Sequence, residues 1–149
     1  MDAIELEQLL LADHRRLEQL LVELQDAFNA NAREDTQQLW SELERSVEAH
    51  FRLEEQTLFP RYAHFDATET KALAEEHQFL RARLAELGAG VDLKLVRAEV
   101  AGSFLAMLRA HAAREETALY RWANEALSEE AATIATALTR SAHGAATGL

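Results

Sequence analysis

The sequence predicts an all-α fold: an up-down-up-down four-helix bundle over residues 1–127, followed by a short extra helix and a frayed tail over 128–149. Three observations point there. Helix-disfavouring residues are scarce, with one Pro, five Gly and no Gly before Gly88 in 149 residues. Apolar residues recur at spacings of three, four and seven, as in Leu6, Leu10, Leu17, Leu21, Leu24 and Phe28. The stretches between such segments are short, so successive helices should fold back on one another.

Each helix has its own start and stop signals. Acidic caps with a partner three residues on, Asp2 with Glu5, Asp35 with Gln38 and Asp66 with Glu69, mark three starts. Stops are expected near Asn29 to Asn31, at Phe59-Pro60 and at Gly88 to Gly90. The four helices then cover roughly 3–29, 36–59, 67–87 and 93–126. Ser128 caps a fifth, to about Ser141, and Gly144 and Gly148 mark the tail.

Composition narrows the function. With 15 Lys plus Arg against 26 Asp plus Glu, the net charge of −11 argues against nucleic acid, because such a surface repels phosphate. The absence of Cys removes disulfides, thiolate chemistry and Cys-ligated zinc or iron-sulfur sites. Met1 to Glu5 lacks the basic and apolar regions of a signal peptide, and the uncharged runs are shorter than a membrane span. A soluble, cytoplasmic protein without a membrane partner is the expectation.

The chain also repeats itself. Asp13-His14-Arg15-Arg16-Leu17 is echoed 63 residues later by Glu76-His77-Gln78-Phe79-Leu80, and the segment from His50 to Phe59 is echoed 61 residues later by His111 to Tyr120. Each half carries a lone His on its first helix and a His-x-x-x-Glu on its second. Residues i and i+4 differ by about 40° around a helix and about 6 Å along it, so His50 with Glu54, and His111 with Glu115, project from one face. His14, His50, His77 and His111 all lie on the apolar stripes, with Met107 and Leu108 a turn before His111. Glu54 and Glu115 share those stripes.

Two carboxylates and four imidazoles are thus directed into the core, where an unpaired carboxylate costs several kcal/mol or takes up a proton. Counting from the connections brings His14, His50 and His77 to one level. His111 joins them if the fourth helix starts late, near Val96 to Glu99, or if its first turns overhang the bundle.

Six donors exceed what one structural zinc uses. Two metals sharing both carboxylates is the economical solution, each taking two His and one oxygen from each Glu, with an oxo or hydroxo bridge from solvent. Nitrogen and oxygen donors without thiolate suit iron or manganese, and zinc and copper also accept imidazole. Iron is preferred.

The ordered set His14, His50-x-x-x-Glu54, His77, His111-x-x-x-Glu115 resembles the hemerythrin-like (HHE cation-binding) family of non-haem di-iron bundles, over residues 5 to 125 or so. The resemblance implies bridging carboxylates from Glu54 and Glu115 and terminal His14, His50, His77 and His111. Two departures stand out. Oxygen carriers of the family have a second His where Arg81 stands, and Asp five residues after the last His, where this chain has Glu115 at four and Glu116 at five. The repeat favours Glu115. With one His fewer, the set resembles bacterial di-iron proteins that respond to nitric oxide or repair iron-sulfur clusters, and iron-sensing hemerythrin domains. The N-terminal Cys-bearing segment of the repair proteins is missing here. The ferritin-like class is excluded by residue order, since no His here has Glu three residues before it.

The expected function is therefore a di-iron protein that binds or turns over a small ligand such as oxygen, peroxide or nitric oxide. An iron sensing, storage or donation module is a second reading, and a metal-free or zinc-filled interaction bundle a third. Asp13 and Glu76, each just before a candidate ligand, are candidates to sit beside the metals. Glu55 and Glu116 read as surface charges, and Trp40, Phe51, Phe79, Phe104, Tyr120 and Trp122 as core and bundle-end packing, a few of them walling the iron pocket. His64 and His143 carry no role.

Overall fold

The computed structural model describes the backbone of residues 5–147 and the side chains of residues 5–140. The described residues form seven helices and no strand: α1 (Leu6–Asn29), α2 (Arg33–Thr57), α3 (Phe59–Phe65), α4 (Ala67–Asp92), α5 (Ala98–Thr117), α6 (Leu119–Ala126) and α7 (Ala131–Thr147). Helices α1, α2, α4 and α5 close a ring, each touching the next, with α5 returning to α1. Helix α3 lies against α2 and α4, α6 against α1 and α5, and α7 against α1 and α2.

The helix starts follow the sequence signals only in part. Asp66 caps α4 by accepting a hydrogen bond from the backbone N–H of Glu69. Asp35 caps nothing: α2 already begins at Arg33, with Asp35 in its first turn. The proposed cap Asp2 lies outside the described residues. Helix α7 begins three residues after Ser128 and continues past Gly144.

The stops have clear physical causes. Helix α1 ends in a Schellman motif, with Asn31 at φ 54°, the Asn31 N–H bonded to the Phe28 carbonyl and the Ala32 N–H to the Ala27 carbonyl. Helix α4 runs straight through Gly88 and Gly90 and ends in the same motif around Lys94, at φ 60°. There the Lys94 N–H bonds to Val91 O and the Leu95 N–H to Gly90 O. Gly88 serves packing instead of termination. A Cβ on it would lie 3.0 Å from the Trp40 indole nitrogen and 2.6 Å from a Glu44 carboxylate oxygen.

The second helix ends at Thr57, beside the expected stop at Phe59-Pro60, where Pro60 lacks an N–H and crowds the carbonyl four residues back, and the short helix α3 occupies the expected turn. The fourth is divided at Ala118, φ −130°, three residues after Glu115, without a Pro.

The interior contains two apolar clusters. One joins Leu21, Leu24, Leu43, Val47, Leu84, Phe104 and Leu105 toward the α1–α2 and α4–α5 connections. The other joins Leu10, Leu53, Leu58, Leu73, Leu119 and Tyr120 with Ile134 and Leu138 of α7. Trp40, Phe51 and Phe104 are buried in the first, but Phe79 is 57% exposed and Met107 lies partly at the surface, so neither belongs to the core.

Lys94 occupies a left-handed backbone conformation that costs a side-chain-bearing residue about 1 kcal/mol and glycine almost nothing. Lys94→Gly is expected to raise stability by up to about 1 kcal/mol in denaturant unfolding. A loss of stability would contradict the Schellman assignment.

Candidate metal centre

Between the two clusters lies a polar layer. His14 on α1, His50 and Glu54 on α2, His77 on α4, and His111 and Glu115 on α5 are all buried there, both glutamates completely. The late start of α5 brings His111 level with the rest. It lies 13 residues after Ala98, and His77 lies 15 before the end of α4 at Asp92.

Each glutamate spans the layer. Glu54 places Oε2 3.4 Å from His50 Nε2 and Oε1 3.3 Å from His77 Nε2. Glu115 places Oε1 3.3 Å from His14 Nε2 and Oε2 3.4 and 3.2 Å from the Nε2 atoms of His77 and His111. The donors thereby fall into two overlapping groups of four, His14, His50, Glu54 and Glu115, and Glu54, His77, His111 and Glu115. Within each group the donor atoms lie within 4.8 Å of one another.

All four imidazoles face inward through Nε2 because Nδ1 is engaged outside. His50 Nδ1 pairs with Asp13, His77 Nδ1 with Glu55 at 2.7 Å, His111 Nδ1 with Glu76 at 2.7 Å and His14 Nδ1 with Glu116 at 2.9 Å. Every acid reaches the His of the next helix around the ring: α1 to α2, α2 to α4, α4 to α5 and α5 to α1. An Nδ1–H donated to a carboxylate fixes the tautomer and leaves the Nε2 lone pair for a cation. Three of these acids are held from outside by arginine: Asp13 by Arg16, Glu55 by Arg81 and Glu76 by Arg114.

Glu55 and Glu116 are thus not simple surface charges. The signal that could have revealed them is the repeat itself, which keeps a second acid after the buried one in both halves. Arg81, where oxygen carriers have an extra His, turns to Glu48 and Glu55 with its guanidinium 5.5 Å from the Phe51 ring centre, outside the layer. Phe51 stacks flat on His77, ring centres 3.8 Å apart. His64 is exposed on α3, and the side chain of His143 lies outside the described residues.

Sequence reading also missed the part played by the Tyr120 hydroxyl. Its fully buried hydroxyl donates to Glu54 Oε2 at 2.8 Å and lies 2.6 Å from His14 Nε2 and 3.1 Å from His50 Nε2.

The electrostatics follow from burial against charge. Burial opposes charging His50, His77 and His111, yet the facing carboxylates win. His77 is raised to about 9 by the nearby Glu115 and Glu54 carboxylates, His50 is raised well above the usual histidine range by Glu54 and Asp13, and His111 is raised by Glu115 and Glu76. Glu115 is held well below the usual carboxylate range, because its burial is outweighed by His111, His14 and His77. Burial pushes the Tyr120 phenol up, and the Glu54 and Glu115 charges push it further, so it stays neutral.

Even so, the layer is short of positive partners. His77 Nε2, His111 Nε2, Glu54 Oε1 and both oxygens of Glu115 are buried without a hydrogen-bond partner. Five orphaned donors converging in one layer are compatible with a bound cation.

Residues 6–123 match the family model of the hemerythrin HHE cation-binding domain. The chain belongs to this family. No curated protein and no solved structure matches the chain. Membership agrees with the buried His and Glu cluster, whose composition is compatible with a metal site in this hemerythrin-like domain. Among the described residues no helix is long and apolar enough to cross a membrane.

The raised histidines set a pH dependence for the metal-stripped protein. The folded His77 holds its proton more tightly than an unfolded histidine, so its contribution is complete below about pH 6.5 and lost as pH rises through about 9. The contribution of Glu115 is present above the usual glutamate range and is lost only as pH falls well below it. The Tm of chelator-stripped protein should therefore fall between about pH 6.5 and 9. A Tm that is flat or rising over that interval would contradict the arrangement.

Proposed function

We propose that this hemerythrin-like chain holds two iron ions and binds or turns over a small oxidant, oxygen, peroxide or nitric oxide. One ion would be held by His14 and His50, the other by His77 and His111, with Glu54 and Glu115 giving one oxygen to each. The observation that carries this reading is the pair of overlapping donor groups sharing both carboxylates. Nitrogen and oxygen donors without thiolate favour iron or manganese, and family membership supports a cation. The reading takes α1, α2, α4 and α5 as an up-down-up-down bundle, which their ring of contacts and short connections support.

Bound iron would supply the redox chemistry and the point of ligand attachment. The chain supplies orientation and exclusion of water. The four outer acids fix the imidazoles, and the two apolar clusters close the layer from both sides. A cavity of about 50 Å³ opens onto His14, His50, His111 and Glu115. It is walled by Leu17, Leu21, Leu43, Val47 and Leu108, with the half-exposed Arg109–Glu18 ion pair also at its edge. One water needs roughly 10–15 Å³ of such space, so a diatomic molecule or peroxide fits and a larger metabolite does not. The apolar walls favour a ligand that gives up little hydration on entry.

Elemental analysis of protein expressed with iron is expected to give about two irons per chain. His50→Ala or Glu54→Ala should lower both iron content and Tm, because a cation bound only by the folded state stabilises it. The visible bands of the iron-loaded protein should change on mixing with oxygen, peroxide or nitric oxide. Protein that retains no iron contradicts the proposal. Iron retained without response to any of the three would favour an iron-handling role.

A further inference from the structure

The two halves of the centre are not equivalent, and the difference lies in one residue. At the 61-residue offset that superimposes His50 on His111 and Glu54 on Glu115, Phe59 corresponds to Tyr120. Each is at the start of the short helix that follows a break, Phe59 first in α3 and Tyr120 second in α6. Phe59 stacks on His77, ring centres 5.0 Å apart, and offers that half no polar atom. Tyr120 packs on His14 at 4.7 Å and carries an oxygen into the layer.

That oxygen lies where the donors of one group converge, 2.6 Å from His14 Nε2, 2.8 Å from Glu54 Oε2 and 3.1 Å from His50 Nε2. The pattern of satisfied atoms follows it. In the His77 and His111 group, both Nε2 atoms and the Glu54 and Glu115 oxygens are orphaned. In the His14 and His50 group, only Glu115 Oε1 is orphaned: the two Nε2 atoms lie 3.1 Å from each other, and the Tyr120 hydroxyl reaches both of them and Glu54 Oε2. A tyrosine needing a single acceptor for a buried hydroxyl would be satisfied by Glu54 alone. Here it lies within reach of three donor atoms that would share one cation.

We propose that Tyr120 is a seventh donor of the centre, giving its phenolic oxygen to the ion held by His14 and His50 and making the two metal positions chemically unequal. The inference rests on the two-metal reading above. On binding ferric iron, the oxygen exchanges its proton for the metal, the proton leaves to solvent, and no electron is transferred. The His14 and His50 position then has five protein donors and the His77 and His111 position four. The cavity touches both positions, His14 and His50 at one and His111 at the other. Tyr120 belongs to the apolar cluster on the opposite side of the layer from the cavity's leucines.

The chain has only two tyrosines, and Tyr62 is buried against Trp122 away from the layer. A phenolate-to-iron charge-transfer band in the ferric protein therefore has one possible source. Wild type loaded with ferric iron should show that band in the visible spectrum. Resonance Raman excitation within it should enhance tyrosine ring vibrations that shift when ring-deuterated tyrosine is supplied during expression. Tyr120→Phe should lose the band while keeping two irons per chain, and Tyr62→Phe should keep it. If Tyr120→Phe does not fold, the isotope shift in wild type decides alone. Iron-loaded wild type without tyrosine-enhanced vibrations, or an unchanged band in Tyr120→Phe, overturns this assignment and leaves the two-metal reading standing. Wild type that binds no iron overturns both.

Discussion

Two carboxylates, Glu54 and Glu115, lie at the centre of this bundle with no exposure to solvent. Their placement constrains the rest of the structure. A buried carboxylate costs several kcal/mol unless positive charge or hydrogen bonds meet it, and here four imidazoles come from four different helices to do so. The histidines cannot move independently of the glutamates, and the glutamates cannot leave without stranding the histidines. The polar layer therefore fixes the height of α1, α2, α4 and α5 relative to one another, a selection that the interchangeable leucines above and below could not make.

The surrounding acids extend the same constraint outward. Asp13, Glu55, Glu76 and Glu116 each stand beside a buried donor on their own helix and bind the histidine of the next, so the belt closes around the ring. Arginines hold three of the four from outside. Charge thus alternates in shells: carboxylates at the centre, imidazoles around them, carboxylates again, then guanidinium groups at the surface. Such alternation lets a protein of net charge −11 carry two of its acids in its interior. Arg81 belongs to this outermost shell, where it holds Glu55 from the periphery.

Much of this was legible in the sequence because periodicity and repetition are one-dimensional signals. The all-helical fold followed from apolar spacing, and the six inner residues were singled out by helical phase and a two-fold echo. What escaped depends on distance between helices or on backbone conformation. Gly88 looks like a helix stop in sequence, but it is small because Trp40 and Glu44 of α2 press against it. Lys94 takes the left-handed position that glycine usually marks, so the true end of α4 carried no signal. Tyr120 read as packing because only the break at Ala118 and the fold of α6 bring its hydroxyl to His14. Glu55 and Glu116 were visible as a repeated pair, but their partners are on neighbouring helices, and sequence spacing does not report that.

The central claim is that Glu54 and Glu115 are jointly neutralised by two cations, each shared between them. Anomalous diffraction at the iron edge from crystals of iron-loaded protein tests it most directly. The account predicts two peaks, one among His14, His50, Glu54 and Glu115 and the other among His77, His111, Glu54 and Glu115. A single peak, peaks elsewhere on the molecule, or either glutamate turned out of the layer would contradict it.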